Sequence, residues 1–328
     1  MIVSKTPLRL SLAGGGTDLP EYYSQYGSQV ITSAIDKNIY IFVKKWFEPA
    51  IRVSYSKTEI VDKIHKIKHP FVRESFRHFK IKSNLEATIM ADLPAGTGMG
   101  SSSSFAVGLL NALSAYTKQK ISTQNLAELA FKLQHNILKE SGGKQDQYAA
   151  SYGGIISMRI DRQGKVNVEK LKIKKEKIKK IEDNLLCFYT GIKRSAPKIQ
   201  EKYCKSITNN DTSVIESLHE INKMSKPMIS YLKKGDLNEI GELFESHWDL
   251  KKKLSNEITN SKIDRLYNEA KKSGAIGGKM LGAGGGGYLV FLCKNGKKNA
   301  VKQKLNQKGL TDIPIKFNER GSTINTSI

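Results

Sequence analysis

A stretch rich in glycine and serine, PAGTGMGSSSS at residues 94–104, carries the clearest chemistry in this sequence. Its glycines alternate with other residues, and its serines lead directly into apolar residues at helical spacing. A glycine loop that opens into a helix presents free backbone N–H groups at the positive end of the helix dipole, which together favour phosphate. The serine hydroxyls can cap the helix, bind phosphate oxygens or reach a metal ion. A plain glycine-rich turn with a serine cap is the alternative interpretation.

Two widespread phosphate-binding patterns do not fit this stretch. The dinucleotide-binding fingerprint needs a third glycine three positions after the second, whereas Gly100 follows Gly98 after only two. The P-loop needs Lys-Ser or Lys-Thr after its last glycine, and Gly100 is followed by Ser101 instead. The loop is therefore expected to be of another kind.

Three other segments place polar residues beside glycines. PLRLSLAGGGTD at residues 7–18 alternates as a strand does before its glycines, and KMLGAGGGG at residues 279–287 precedes a short apolar run. GGKQDQ at residues 142–147 sets Asp146 shortly after two glycines, where an aspartate by itself usually indicates a helix cap. Each segment alone predicts a tight turn or a backbone that approaches a ligand closely.

Taken in chain order, these segments resemble the motifs of the GHMP kinases, which include galactokinase, homoserine kinase, mevalonate kinase and phosphomevalonate kinase. Residues 7–18 resemble the first motif, residues 94–104 the phosphate loop and residues 279–287 the third motif, while GGKQDQ resembles the segment that carries the catalytic aspartate of galactokinase-like members. The resemblance implies a two-domain α+β fold. Residues 1–180 would form the N-terminal domain, with a left-handed βαβ crossover. Residues 181–328 would form the C-terminal domain, with a ferredoxin-like split βαβ arrangement. ATP would lie in the cleft between the two.

The same resemblance implies catalytic and ATP-binding roles. Asp146 takes the position of the catalytic aspartate, which would accept the proton of the attacking hydroxyl, and Arg9 would pair with it. The residues expected to hold the ATP phosphates are Pro94, Gly96, Gly98, Met99, Gly100, Ser101, Ser102, Ser103 and Ser104. Mg²⁺ would lie between the phosphates and the hydroxyl of Ser101 or Ser102.

The residues expected to bind the sugar are Gly14, Gly15, Gly16, Thr17, Asp18, Gly282, Gly284 and Gly285, with Lys144, Lys193 and Arg194 as candidates for a substrate phosphate. The first motif departs from the family pattern. Leu8 replaces a glycine, and Gly15 and Gly16 replace a Glu-His pair that contacts the sugar in galactokinase-like members. The loss of that pair argues against plain galactose and leaves room for a larger sugar.

The metal site departs from the family pattern as well. Gln134, with His135 beside it, stands where the family usually has a glutamate that binds Mg²⁺. A neutral amide oxygen is a weaker ligand than a carboxylate, so Gln134 would act through water or the metal would rely on phosphates and serine. Glu140 is a further candidate, although its spacing differs from the family pattern.

Residues 14–23, 95–105 and 142–150 together are most similar to the heptose 7-phosphate kinase branch of the family. That branch phosphorylates the anomeric hydroxyl of D-glycero-D-manno-heptose 7-phosphate and so gives heptose 1,7-bisphosphate, a precursor of nucleotide-activated heptose for capsule or lipopolysaccharide. Two alternatives stay open. One is a fucose- or galactose-type sugar-1-kinase, and the other is a non-catalytic binding protein with this fold.

The composition restricts the location and the partners. The net charge of +23 is carried mostly by scattered lysines, and the dense cluster at 170–180 lacks the interleaved aromatic residues of a nucleic-acid binder. The sequence shows no signal-peptide pattern and no apolar run long enough to span a membrane. Three scattered cysteines favour a reduced, cytoplasmic protein. We expect a small sugar phosphate and ATP as partners, with a homodimer among the open oligomeric states.

Hydrophobic periodicity predicts the elements that carry these segments. The predicted strands are 2–12, 30–35, 39–47, 51–55, 85–91, 153–160, 166–171, 185–190, 288–293 and 313–317. The predicted helices are 19–26, 70–79, 122–138, 196–205, 213–233, 237–253, 258–273 and 299–307, besides the helix that follows the serines.

Overall fold

The structure, a computed structural model, describes residues 1–192 and 196–326. The strands within these ranges are β1 (Ile2–Ala13), β2 (Ser28–Lys45), β3 (Ile51–Ser54), β4 (Thr58–Val61), β5 (Leu85–Ala91), β6 (Ile155–Ile160), β7 (Val166–Lys170), β8 (Leu185–Tyr189), β9 (Ala275–Met280), β10 (Tyr288–Cys293), β11 (Thr311–Asp312) and β12 (Thr323–Asn325). The α-helices are α1 (Pro20–Tyr26), α2 (Pro70–His78), α3 (Ser101–Tyr116), α4 (Thr123–Phe131), α5 (Gln145–Tyr152), α6 (Lys175–Asn184), α7 (Ala196–Thr208), α8 (Thr212–Lys223), α9 (Ser225–Lys234), α10 (Leu237–Lys253), α11 (Ser261–Ser273) and α12 (Lys298–Gln307). A 3₁₀-helix covers Ile64–Lys66, and a π-helix covers Lys132–Ile137.

The first of two sheets is built around the long strand β2. This strand pairs antiparallel with β1 on one edge, and β5 and β6 share its other edge. The sheet order is β12-β1-β2-β5-β3-β4, with β7 beside β6. Strands β3 and β5 run parallel, and α2 lies in the connection between them. The left-handed crossover predicted for this half of the chain stays a prediction.

The second sheet has the order β11-β8-β10-β9 and is antiparallel throughout. Helices connect β8 to β9 and β10 to β11, which is the split βαβ arrangement expected for the C-terminal domain. Strand β10 is buried on both faces. Tyr288 and Val290 pack into the core that includes the first sheet, whereas Leu289 and Phe291 pack into the core of the second. The side chains of this one apolar strand therefore pack into both cores.

The chain returns to the first sheet near its end. The backbone N–H of Asp36 donates to the carbonyl of Lys316 at 2.9 Å, Phe317 forms a bridge with Ile35, and β12 pairs with β1. The predicted division between residues 180 and 181 stays a prediction, but residues 316–325 hydrogen-bond within the first half of the molecule.

Several sequence predictions of secondary structure were wrong in part. The helix predicted at 122–138 changes from α to π at Lys132, and the one at 213–233 is two helices, with Pro227 in the first turn of the second. No strand spans 313–317, since Pro314 lacks the N–H that a ladder needs. The strands predicted at 30–35 and 39–47 are one continuous strand, β2. Strand β9 and helix α6 were not predicted.

Cys187, Cys204 and Cys293 are buried free thiols. Across residues 1–192 and 196–326, no helix combines the length and the apolar character that a bilayer crossing needs.

Candidate active site

Arg9 and Asp146, which are far apart in the sequence, form an ion pair in the cleft between the two sheets. Nε of Arg9 donates to Oδ1 of Asp146 at 2.7 Å, and Nη2 donates to Oδ2 at 2.8 Å. Two parallel hydrogen bonds of this kind fix both the position and the plane of a carboxylate. The Arg9 side chain is 7% exposed and that of Asp146 is 27% exposed, so the carboxylate stays open to the cleft.

The position of Arg9 is set by an irregularity in β1. The register with β2 shifts between Pro7 and Arg9, as in a β-bulge, which changes the direction of a side chain. The backbone N–H of Arg9 then donates to the carbonyl of Met99 at 3.0 Å, and Nη1 donates to the carbonyl of Gly98. Arg9 therefore holds both Asp146 and the glycine loop that precedes α3.

The glycine loop has the backbone that its sequence predicts. Gly96, Gly98 and Gly100 have φ of +75°, +89° and +74°, which side chains other than glycine rarely tolerate. Gly100 is the N-cap of α3, and the next three N–H groups have no acceptor within that helix. The third-motif glycines close against this loop, because a Cβ on Gly287 would lie 2.2 Å from the carbonyl oxygen of Thr97. The loop therefore has a backbone suited to binding an anion, and the third-motif glycines pack against it.

Asp18 joins the first motif to the start of α5. Its Oδ2 accepts from the N–H of Gln145 at 2.9 Å, and its Oδ1 accepts from the N–H of Gly16 at 3.1 Å. Burial raises the pKa of Asp18, and the Asp146 charge adds to that shift, while the two backbone hydrogen bonds oppose it. A Cβ on Gly143 would lie 1.9 Å from Oδ2, so only glycine fits above this carboxylate. Asp18 lines the cleft and also fixes the helix that carries Asp146.

Gln134 lies in the π-helix and faces the serines of α3. Its Nε2 donates to Oγ of Ser102 at 3.2 Å and to Oε2 of Glu140 at 3.1 Å, while the Gln147 amide packs on its other side. Burial raises the pKa of Glu140, and the hydrogen bond from Gln134 opposes that shift. The chain turns back after the π-helix, with the N–H of Glu140 donating to the carbonyl of Gln134 at 2.9 Å. The cleft thus contains a carboxylate at a spacing that differs from the family pattern.

A cavity of about 470 Å³ connects these groups. The predicted site residues that line it are Arg9, Gly15, Gly16, Asp18, Gly96, Gly98, Gly100, Ser101, Ser102, Ser103, Gln134, Asp146 and Gly282. Three segments of the sequence, together with the π-helix and the third-motif loop, therefore contribute to one concave surface. Its size is typical of a site for a small ligand.

Other predicted binding residues lie outside this lining, namely Pro94, Met99, Ser104, Gly14, Thr17, Gly284 and Gly285. Met99 is fully buried, and the hydroxyl of Ser104 donates to the carbonyl of Pro7 at 2.8 Å, so both support the loop from inside. Thr17 is also fully buried, and its hydroxyl donates to the carbonyl of Gly14 within a tight turn. These residues shape the site without facing the cavity.

The prediction that Lys144 binds a substrate phosphate was wrong. Its Nζ points away from the cavity and donates to both oxygens of Glu128, at 2.8 and 2.9 Å, and to the carbonyl of Gly164 at 2.6 Å. The side chain is buried and its charge is already neutralised by the Glu128 carboxylate. Lys193 and Arg194, the other predicted phosphate ligands, lie outside the described residues.

Three basic residues that the sequence reasoning did not assign to the site line the cavity: His247, Lys251 and Lys279. His247 and Lys251 are one turn apart on α10, a spacing that indicates a shared helix face. Lys279 was noted only as part of the third glycine motif, and it lies on β9 with 2% exposure.

The arrangement can support transfer of a phosphoryl group. The glycine loop and the start of α3 can bind phosphates, and Asp146 can take a proton from a hydroxyl placed in the same cavity. Within the described ranges, no group of three or more His, Cys, Asp or Glu side chains is placed to hold a metal ion.

Known proteins are similar to this chain in both sequence and fold. Residues 63–154 match the family description "GHMP kinases N terminal domain", and residues 228–310 match "GHMP kinases C terminal". A D-glycero-alpha-D-manno-heptose 7-phosphate kinase of Campylobacter jejuni is 30% identical over 94% of each chain. A bifunctional fucokinase/GDP-fucose pyrophosphorylase of Arabidopsis thaliana is 25% identical over 94% of this chain and 31% of its own length. The crystal structure of a D-glycero-D-manno-heptose 1-phosphate kinase from Bacteroides thetaiotaomicron superposes over 100% of both chains with a TM-score of 0.84 at 24% identity.

Proposed function

This chain belongs to the GHMP kinases and is a sugar kinase of that family, and we propose that it transfers the γ-phosphoryl group of ATP to the anomeric hydroxyl of D-glycero-D-manno-heptose 7-phosphate. The products would be heptose 1,7-bisphosphate and ADP. The observation that carries the proposal is the Arg9–Asp146 pair, whose carboxylate is open to the cavity and lies beside the glycine loop.

The residues of the cleft suit an in-line transfer. The N–H groups at the start of α3 would hold the ATP phosphates, with Ser101, Ser102 and Ser103 facing the same cavity. Asp146 would accept the proton of the sugar hydroxyl as its oxygen bonds to the γ-phosphorus and the bond from that phosphorus to the β–γ bridging oxygen breaks. Arg9 would keep the carboxylate aligned throughout, since it holds both of its oxygens.

Magnesium fits the donors present in the cleft. The hydroxyls of Ser101 and Ser102 and the carboxylate of Glu140 supply the oxygen ligands that Mg²⁺ prefers. The Gln134 amide lies between Ser102 and Glu140, and Glu140 is the carboxylate of this group. We therefore assign the carboxylate role to Glu140. When bound, Mg²⁺ neutralises charge on the β- and γ-phosphate oxygens.

The identity of the sugar rests on two kinds of support. A relative that acts on heptose 7-phosphate shares 30% identity with almost the whole chain. Gly15 and Gly16 also line the cavity in place of the family's Glu-His pair, and the absence of those two side chains favours a sugar longer than a hexose. We place this reaction in the cytoplasm, on the route to nucleotide-activated heptose for a surface polysaccharide. A fucose-type kinase is the second candidate, because a fucokinase is also among the relatives.

A sugar panel tests the proposal. Purified protein with Mg·ATP is offered heptose 7-phosphate, the same heptose without phosphate, fucose, galactose and mevalonate. ADP release and ³¹P NMR of the product are measured, with Asp146→Asn protein as the control for contaminating kinases. We expect the highest kcat/KM for heptose 7-phosphate and a new phosphate signal at the anomeric carbon. Higher kcat/KM for fucose or galactose, or a phosphate at another carbon, would contradict it.

A further inference from the structure

A heptose 7-phosphate has a phosphate group at the opposite end of the molecule from its reacting hydroxyl. Lys144, the ligand predicted for that phosphate, binds Glu128 and the carbonyl of Gly164 instead. We infer that Lys251, His247 and Lys279, here called the basic wall, form the binding site for a phosphate monoester on the sugar. The inference rests on the proposed function for the identity of the sugar, but the charge and geometry of the basic wall carry it.

Lys279 is a buried lysine whose partners are neutral. Its Nζ donates to the carbonyl of Leu12 at 2.8 Å, lies 3.0 Å from Nδ1 of His247 and sits 4.8 Å from the centre of the Phe244 ring. No ion pair within the described ranges involves Lys279. Burying a charge is costly unless an opposite charge accompanies it, so an anionic ligand in the cavity would stabilise this ammonium group.

His247 adds a hydrogen-bond donor to the same wall. Burial lowers the pKa of His247 well below its usual value, the charges of Lys279 and Lys251 add to that shift, and the nearby Gly15 backbone opposes it. This shift favours the neutral ring, and if the Lys279 amine donates to Nδ1, which lies 3.0 Å from Nζ, the ring proton is on Nε2. Nε2 is buried and has no hydrogen-bond partner. An oxygen of a bound phosphate can accept from it.

Lys251 supplies a second positive charge one turn further along α10. Its Nζ donates to the carbonyls of Gly282 and Met280, which places it at the third-motif loop on the cavity wall. The charge of Lys251 lowers the pKa of both Lys279 and His247. The field at this side of the cavity is therefore positive, as a phosphate site requires.

The position of the basic wall suits the far end of the sugar. Lys279 binds the carbonyl of Leu12, which is three residues beyond Arg9 on β1. At the rise of a β-strand this corresponds to about 10 Å from Arg9 toward the glycines at the end of the strand. That distance is comparable to the length of a seven-carbon sugar phosphate. A sugar with its anomeric hydroxyl at Asp146 would thus bring its other end to the basic wall.

A binding measurement tests the inference directly. Inorganic phosphate is titrated by calorimetry into protein saturated with a non-hydrolysable ATP analogue. The variants are Lys251→Met and Lys279→Met, and the matched control is Lys253→Met, which removes an exposed charge from the same helix turn. We expect the dissociation constant for phosphate to rise about tenfold or more in both variants, as for loss of a charge-assisted hydrogen bond, and to stay unchanged in the control. Circular dichroism checks that each variant is folded. If Lys279→Met fails to fold, Lys251→Met still provides the test, because the Lys251 side chain is only partly buried.

A kinetic measurement separates the two sources of phosphate. The ratio of kcat/KM for heptose 7-phosphate to kcat/KM for the unphosphorylated heptose should fall about tenfold in Lys251→Met, with affinity for the ATP analogue unchanged. Lost affinity for the analogue with an unchanged ratio would assign the basic wall to ATP and overturn the inference. If no heptose reacts, the proposed function fails, while the phosphate titration still decides this inference. Unchanged phosphate binding in Lys251→Met, with heptose kinase activity intact, overturns the inference alone.

Discussion

A Cβ on Gly100 would lie 3.2 Å from Oδ2 of Asp146. The same atom would lie 3.0 Å from Cγ of Arg9, so the N-cap of the phosphate-loop helix packs directly against the ion pair. Glycine at this position therefore satisfies two separate requirements. Its φ of +74° needs a residue without a Cβ, and so does the space beside the Asp146 carboxylate.

We expect Gly100→Ala to lower kcat about 10²-fold, because a small displacement of Arg9 and Asp146 misaligns the reacting groups. The matched control is Gly296→Ala, whose φ of +75° gives the same backbone strain in a place where a Cβ meets no atom within 4 Å. Both variants should lose about 1–2 kcal/mol of unfolding free energy from that strain. Steady-state kinetics and chemical denaturation check this, and equal kcat values for the two variants would show that crowding of the pair is unimportant.

Asp146→Asn should lower kcat about 10²-fold or more, since an amide cannot accept the proton of the sugar hydroxyl. Affinity for ATP should change little, because the phosphate loop binds the nucleotide through its own backbone. Single-turnover kinetics and calorimetry with an ATP analogue measure the two effects, with Asp62→Asn at an exposed ion pair as the control. A kcat within a factor of a few of the wild type would remove Asp146 from the mechanism.

Gln134→Glu should lower the Mg²⁺ concentration that gives half-maximal rate, and Glu140→Gln should raise it. The first change places a second carboxylate beside Glu140 and Ser102, whereas the second change removes the existing one. Without metal, Gln134→Glu should also melt at a lower temperature, because two neighbouring carboxylates repel each other. Mg²⁺ titrations of initial rate and of thermal unfolding without nucleotide test this. An unchanged Mg²⁺ dependence in both variants would show that neither residue faces the metal.

Phosphate binding should weaken as pH rises toward 10. Burial lowers the pKa of Lys279 well below 10.5, with the charges of Lys251 and Arg9 as further causes, so its ammonium loses its proton earlier than an exposed lysine does. Only the charged form attracts the anion. Calorimetry between pH 8 and 9.5, where phosphate remains dianionic, should show the loss in the wild type and a flatter profile in Lys279→Met. Constant affinity of the wild type over this range would count against Lys279 as a ligand.

The same shift has a consequence for stability. Because the folded-state pKa is the lower one, the unfolded chain binds the extra proton, and the contribution of Lys279 to stability rises with pH between the folded-state pKa and 10.5. Lys279→Met should therefore be less sensitive to pH in that interval. Denaturant unfolding at several pH values without ligand measures the slope, and identical slopes in the two proteins would contradict the pKa direction.

The motifs predicted the centre of the site better than its edges. The motifs predicted that Arg9, Asp146 and the phosphate loop belong to one site, because that chemistry needs particular residue types in a local pattern, and the structure places all three along one cavity. Lys144 was assigned wrongly because adjacent residues at a helix start point about 100° apart, so a neighbour of Asp146 need not share its surroundings. Sequence proximity is a poor guide to which groups share a cavity.

The basic wall and the position of Glu140 in the site could be identified only from the tertiary structure. His247 and Lys251 share a helix face by their spacing, but the sequence does not show which face meets the cavity. The carboxylate of Glu140 reaches Gln134 only because the helix widens to a π-turn before the chain reverses, and no residue pattern at 132–137 marked that change.

The return of the chain to the first sheet constrains how the cleft can move. The second sheet is connected to the first by two covalent crossings, one through α6 and one between Asp312 and Phe317. Beyond the second crossing, Asn318 is anchored on both sides, donating to the carbonyl of Ala34 at 2.9 Å and accepting from the N–H of Gly154 at 2.7 Å. Tyr288 and Val290 of β10 also pack into the core that includes the first sheet. The second sheet is thus held against the first by two crossings and by shared apolar packing, and we expect the separation between the basic wall and the phosphate loop to vary little.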